Sequence, residues 1–188
     1  MDAVAARLGD RVTRWITINE PAEITLLGHA IGEHAPGHRL LFDALPVAHH
    51  QLLAHGRAVE VLRAANPDHE IGIAASHTPV WTAGDGDDDR AAADLYDTLM
   101  NRLFADPILT GRYPDGFAEA MPAAPGGSVA DDLKVISAPL DFYGVNYYNP
   151  TLVGAPRPGG RQDPYAGVEL PPDLPFTLHD IEGYPLTA

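Results

Sequence analysis

The sequence contains no cysteine, so neither a disulfide framework nor a thiolate metal site can form, and a reducing compartment suits it. No apolar run reaches the roughly eighteen residues that a bilayer-spanning helix needs. The segment from Met1 to Val12 carries charge every few residues and lacks an apolar centre, so it reads as neither a signal peptide nor a membrane anchor. Basic residues are scarce: 12 Lys and Arg stand against 26 Asp and Glu, for a net charge of −14. Phosphate-backbone binding needs a basic patch, and the nearest approach to one, Arg157 and Arg161, lies in a Pro/Gly-rich stretch. A cytoplasmic protein with no nucleic-acid and no membrane partner is expected, and 188 residues suffice for one domain with a sizeable core.

What is present alternates between helical and strand-like patterns. Asp2 to Leu8 reads as a helix end stopped by Gly9, and Trp15-Ile-Thr-Ile-Asn19 as a short strand closed by Glu20-Pro21. Leu45, Ala48, Leu52, Val59 and Leu62 recur with helical spacing until Asn66-Pro67. Ile71 to Ala75 is a nearly unbroken apolar run, the pattern of a strand buried on both faces. Asp89 is placed as the cap of a helix bearing Ala92, Leu95, Leu99 and Leu103; Ser128 opens a shorter one through Ile136; and Phe142 to Tyr148 forms a third strand. Strands separated by helices imply parallel βαβ units of an α/β fold. From Gly154 to Pro175 the composition turns to Pro, Gly and Asp, a long loop.

Trp15-Ile-Thr-Ile-Asn-Glu-Pro21 carries the chemistry. It sets an amide and a carboxyl side by side where a buried strand ends, the place where barrel and open α/β enzymes keep catalytic groups. Pro21 removes a ladder donor and is expected to hold Glu20 extended. By spacing alone, Glu20 reads equally as a solvated loop-edge acid and Asn19 as a turn former.

The wider pattern resembles family-one glycoside hydrolases, the β-glucosidase family. Trp-x-Thr-x-Asn-Glu-Pro is similar to the acid/base segment at their fourth strand, and Gly28 to Gly37 to the loop after it. His49-His-Gln-Leu-Leu-Ala-His55 resembles the fourth helix, Ile71-Gly-Ile with Thr78-Pro79-Val80 the fifth strand, Asp106-Pro107 to Pro114 the segment after the fifth helix, and Asp141 to Tyr148 the sixth strand. The likeness runs in order from about Val4 to Val153. It implies a partial (β/α)8 TIM barrel, three parallel strands with flanking helices, in which residues 154–188 lead as mostly loop toward a seventh strand. It also implies a retaining β-glycosidase acting on a β-glycoside or oligosaccharide, with no cofactor and no metal. Glu20 then matches the general acid/base, Asn19 the residue bonding the sugar 2-hydroxyl, Tyr148 the phenol orienting the nucleophilic carboxylate, and Asn146 its polar neighbour.

The family's nucleophile is a Glu in a Thr-Glu-Asn-Gly segment, which these residues do not contain; Glu169 and Glu182 have other surroundings. Ala75-Ser76-His77 also departs from the Asn usual at the end of the fifth strand. Three readings follow: part of a retaining hydrolase, a split enzyme needing complementing chains, or a non-enzymatic structural or carbohydrate-binding remnant. Open sheet edges would favour self-association, with Trp15, Ile71, Ile73, Phe142 and Val145 as the apolar groups left wet inside an unclosed barrel. Histidines 29, 34 and 38 and histidines 49, 50 and 55 lack the spacing of a zinc site. Asp85 begins no EF-hand, since the twelfth position is Tyr96. Trp81 reads as a loop aromatic, either packed or lining the aglycone side of a pocket.

Overall fold

The computed structural model describes residues 1–156 and 174–179. Arg157, Arg161, Glu169, Glu182 and most of the expected 154–175 loop lie outside the described residues. Helix α1 (Asp2–Leu8) precedes β1 (Arg14–Asn19), which ends at α2 (Pro21–Glu23) and a π-helical turn, Ile24–Ala30. The long helix α3 (Leu45–Ala65) buries Ala48, Leu52, His55, Val59 and Leu62 along one face and stops at Asn66, which is extended before Pro67. Strand β2 (Glu70–Ser76) follows, then the short β3 (Val80–Thr82). Helices α4 (Asp87–Asp97), α5 (Leu103–Thr110) and α6 (Val129–Ile136) lead to β4 (Phe142–Asn146) and β5 (Thr151–Gly154), and β6 spans Thr177–His179.

The main sheet has the order β1-β2-β4, both pairings parallel. Trp15 lies opposite Ile71, Gly72 opposite Phe142, and Ser76 opposite Asn146. The βαβ reading is therefore realised as a partial α/β barrel arc, which does not close among the described residues. The expectation that Trp15, Ile71 and Ile73 would be left wet is corrected. Trp15 and Ile71 pack on Ala5, Val59 and Leu62, and Ile73 packs with Ala48, Leu52, Leu103 and Phe104. These side chains point to the helix layer, so the alternation of a strand sends Ile16, Gly72, Ala74 and Phe142 to the other face. Ile16 is 54% exposed there, and Val145 is 58% exposed at the β4 edge.

Other elements differ from the sequence reading in specific ways. The helix cap is Gly86, not Asp89. Asp89 is buried in the first turn of α4, where its Oδ1 accepts a hydrogen bond from the Ala155 N–H at 2.9 Å, tying the helix to the end of β5. Asp106 and Pro107 stand inside α5, not after it, and the helix closes at Gly111 with φ of 70°. The third main strand ends at Asn146, which leaves Tyr148 in the loop beyond. Ser128 does cap α6, its Oγ accepting from the Asp131 N–H. A second sheet, β3-β5-β6, was not anticipated: β3 and β5 are parallel, and β5 and β6 antiparallel. It buries Val153, Phe176 and Leu178 against Ala92, Ala93 and Tyr96 of α4. Trp81, on β3, is half exposed.

Among the described residues β1 and β4 each pair on one side only. Unpaired edges and an uncovered inner face template association. The purified 188-residue chain is therefore expected to form oligomers or aggregates in light scattering. A monodisperse monomer unfolding cooperatively above about 60 °C would contradict this.

Candidate active site

The site begins with a slip in the β1–β2 ladder. Ile16 lies opposite Gly72 and Asn19 opposite Ala74, so β1 advances three residues while β2 advances two. This bulge brings Ile16 and Asn19, residues of opposite parity, to the same face. The Glu20 N–H then makes a last ladder bond to the Ala74 carbonyl at 2.7 Å. Glu20 is left-handed, with φ 52° and ψ 60°, and not extended as expected. Pro21 bars its predecessor from the right-handed helical region, and α2 starts immediately at Pro21, so the chain turns sharply instead of continuing the strand. Pro21 at the first helical position sacrifices no hydrogen bond. A left-handed glutamate costs about 1–3 kcal/mol, which its surroundings must offset.

The turn aims the Glu20 carboxyl across the strand ends. Asn146 Nδ2 donates to Glu20 Oε1 at 2.7 Å and to Asn19 Oδ1 at 3.2 Å. The Tyr148 hydroxyl donates to the same Glu20 oxygen at 3.4 Å, a long contact from a side chain 76% exposed. All four residues singled out in the sequence thus converge, although they lie some 126 positions apart. The structure adds groups that the sequence reading did not single out. Glu23, three residues after Glu20, has its pKa raised above the ordinary glutamate value by burial; the nearby Ser76 hydroxyl opposes that shift, the Glu20 charge adds to it, and His34 opposes it. Glu23 and Ser76 border a polar cavity of about 50 Å³ with His77, Asn146, Tyr148 and Thr151. The spacing of Glu23 from Glu20, one turn into a helix opened by proline, was the available signal. His77 is held by the Tyr143 hydroxyl at 2.8 Å and by Asn101 Oδ1 at 3.2 Å.

Beneath the sheet, buried histidines tie α3 to its surroundings, and one of them braces the strand that leads to Glu20. Thr17 Oγ1 and His55 Nδ1 lie 2.6 Å apart, joining β1 to α3. His49 bridges Tyr113 at 2.8 Å and Asp132 at 3.2 Å. No group of three or more His, Asp or Glu among the described residues is arranged to hold a metal ion. Burial pushes the His55 pKa down to about 4. The unfolded chain takes up that proton near 6.5, so between those values the unfolded state binds more protons. Stability is full above about pH 6.5 and falls as pH drops toward 4, by about 3 kcal/mol from this residue alone. Urea midpoints at pH 7 and pH 4.5 are expected to differ less in His55→Gln than in the unaltered chain; equal differences would refute the assignment.

A carboxyl just past the C-terminal end of β1 is met by an amide at the end of β4 and a phenol two residues beyond it, across the intervening β2, and strand C-termini are where barrel enzymes carry their active sites. The Glycosyl hydrolase family 1 profile matches residues 1–166, and the chain belongs to that family. It is 40% identical over 155 residues to β-glucosidase A of Acetivibrio thermocellus, covering 81% of this chain and 34% of that protein. It is 38% identical over 172 residues to the β-glucosidase of an Agrobacterium species, covering 92% and 36%. The psychrophilic β-glucosidase of Micrococcus antarcticus superposes with a TM-score of 0.80 at 38% identity, covering 96% of this chain and 40% of that one. The Thermotoga maritima family 1 glycoside hydrolase complexed with a cyclophellitol analogue superposes at 0.77 and 32%, covering 96% and 38%. The chain spans about a third of the length of the curated relatives it matches.

Proposed function

We propose that this chain supplies the acid/base side of a retaining, β-glucosidase-type glycoside hydrolase, acting on a β-glycoside or oligosaccharide. The observation that carries the reading is the Glu20 carboxyl, held at a strand end by Asn146 and Tyr148. In it, Glu20 protonates the glycosidic oxygen as the leaving group departs, and then takes a proton from the water that releases the covalent glycosyl-enzyme. Asn19, on the same face, bonds the sugar 2-hydroxyl, a contact that strengthens as the ring approaches an oxocarbenium ion. In the same reading Tyr148 orients a second carboxylate, the nucleophile. Asn146 fixes both Asn19 and Glu20. The reaction runs on two carboxyls and draws on neither cofactor nor metal.

Residues 1–153 are read as part of a single TIM-barrel domain and residues 154–188 as the approach to its seventh strand. The coverage of only about a third of each relative favours a form in which other polypeptide supplies the remaining strands, whether as one longer protein or as complementing chains. A cytoplasmic location belongs to the same reading.

These 188 residues contain no Thr-Glu-Asn-Gly segment. The chain by itself is expected to release no aglycone from aryl β-glucosides with retention of configuration. Co-expression with segments of a relative supplying the first three and last two strands should give a soluble, active complex, and Glu20→Gln should lower its turnover by about 10²–10⁴-fold. Retaining turnover by the chain alone, or a complemented complex indifferent to Glu20→Gln, would end the proposal.

A further inference from the structure

The bulge in β1 sets two residues, Thr17 and Ile18, against the single Ile73, because Ile16 lies opposite Gly72 and Asn19 opposite Ala74. A slip of one residue there would turn Asn19 from the inner face toward the helices. Ile18 is held by packing on the cluster that contains Ile73, Leu52 and Leu103. Thr17 is held by hydrogen bonds. Its Oγ1 donates to the Gly72 carbonyl at 3.2 Å, at the last regular pair before the slip, and lies 2.6 Å from His55 Nδ1 of α3. A hydroxyl has one proton and a carbonyl only accepts, so the proton between Thr17 and His55 comes from the imidazole. His55 therefore carries its proton on Nδ1. Its Nε2 is left a bare acceptor, sealed from solvent and without a hydrogen-bond partner. The ring is fully buried, and the next residue seats α3 beside it: a Cβ on Gly56 would strike the Val135 carbonyl of α6.

We propose that Thr17 and His55 are positioning residues of the Glu20 centre, joined in a relay from His55 Nδ1–H through the Thr17 hydroxyl to the Gly72 carbonyl. The relay ties α3, β1 and β2 together inside the bulge and so holds Asn19 and Glu20 toward the inner face. The inference rests on the glycosidase reading for the role of Glu20, and neither positioning residue touches substrate in it. Two fastenings bracket the bulge: the Thr17 hydroxyl on the Gly72 carbonyl, and the Glu20 N–H on the Ala74 carbonyl at 2.7 Å. The second alone does not fix how many residues of β1 lie above Gly72. A strand advances about 3.3 Å per residue. One residue of slip would therefore carry the Glu20 carboxyl out of reach of Asn146, which bonds it at 2.7 Å and bonds Asn19 at 3.2 Å. The imidazole matters because it is a donor fixed by burial. It leaves the hydroxyl proton free to point only at Gly72.

The test is magic-angle-spinning NMR of the 188-residue chain with nitrogen-labelled histidine and asparagine and carbon-labelled glutamate, which tolerates an oligomeric sample. Above the ordinary histidine midpoint of about 6.5, the histidine signal lost in His55→Gln should show a protonated Nδ1 and a bare Nε2. A protonated Nε2 overturns the inference. The dipolar contact between the Asn146 side-chain nitrogen and the Glu20 carboxyl, identified by its loss in Glu20→Gln, reports the positioning. Thr17→Val keeps the side-chain volume and removes both hydrogen bonds, whereas Thr17→Ser keeps both bonds and removes a methyl. The contact should vanish in Thr17→Val and persist in Thr17→Ser, with the His49 signals unchanged as the sign of an intact helix layer. A residue placed for packing alone would give the reverse order, and loss in both or in neither also overturns the inference. If Thr17→Val does not fold, the His55 tautomer and Thr17→Ser still decide. In the complemented complex Thr17→Val should lower turnover about 10²-fold, with Thr17→Ser close to the unaltered rate. The expected NMR result with an inactive complex would remove the glycosidase reading and keep the relay. An active complex in which the two variants turn over alike would do the reverse.

Discussion

The peptide N–H of Glu20 donates to the Ala74 carbonyl at 2.7 Å, and the geometry of the site follows from that bond. It is the last rung between β1 and β2, placed just after the bulge that has already brought Asn19 to the inner face. Beyond it the chain cannot continue as a strand, because Pro21 has no N–H to give the ladder. The left-handed turn at Glu20 is the way to leave the sheet and enter α2 within one residue. Without the rung, the strained conformation would relax toward the extended region that pre-proline residues favour, and the carboxyl would swing away from Asn146.

The opposite wall depends on register. Asn146 reaches Glu20 because it is paired with Ser76, and that pairing is fixed at the other end of the strand. Asp141, just before β4, donates its N–H to the Ile71 carbonyl at 2.9 Å, and its Oδ2 accepts from the Ile71 N–H at 2.7 Å and from Arg63 at 2.5 Å. The Ile71 N–H is the largest influence holding the Asp141 carboxyl below its ordinary pKa. A slip of one residue would turn Asn146 toward the helices. Gly72 makes the register sterically possible: a Cβ there would run into the Phe142 carbonyl and ring. Small residues on the inner face of β2, with Ile71 and Ile73 buried on the other, let β1 and β4 approach it closely enough for their ends to share one carboxyl.

Much of this was legible in the sequence where local chemistry and tertiary role coincide. The apolar run of β2, the helical spacing of α3 and the Asn-Glu-Pro strand end each carry their own signal, and Glu20, Asn19, Asn146 and Tyr148 do meet. What escaped was set by partners distant in sequence. Asp89 looks like a cap because acids cap helices, but its carboxylate is engaged by Ala155, 66 residues on. The strands β3, β5 and β6 have three or four residues each and gain their order from packing on α4, which no local periodicity announces. Trp15, Ile71 and Ile73 could be recognised as core, but their direction is decided by which face the helices cover. The bulge and the left-handed Glu20 are answers to the ladder, and β2 lies 50 residues beyond Glu20 in the chain.

The site therefore owes its geometry to backbone, not to burial. Asn19 and Tyr148 are exposed and Glu20 only half-buried, so the hydrogen bonds among them compete with water and are individually weak. Their directions are nevertheless set in advance by a bulge, a left-handed turn and a pinned register, each upheld by the buried layer beneath: Thr17 on His55, Trp15 on Val59 and Leu62, Ile73 on Leu52 and Phe104. Preorganised donors gain strength when water is excluded, since the same dipoles then act in a lower dielectric without having to reorient. A mouth closed over this arc would thus leave the positions of Asn146 and Glu20 unchanged and alter the strength of their interaction. Geometry and reactivity are separable here: the first is built into β1, β2 and β4, and the second depends on what covers them.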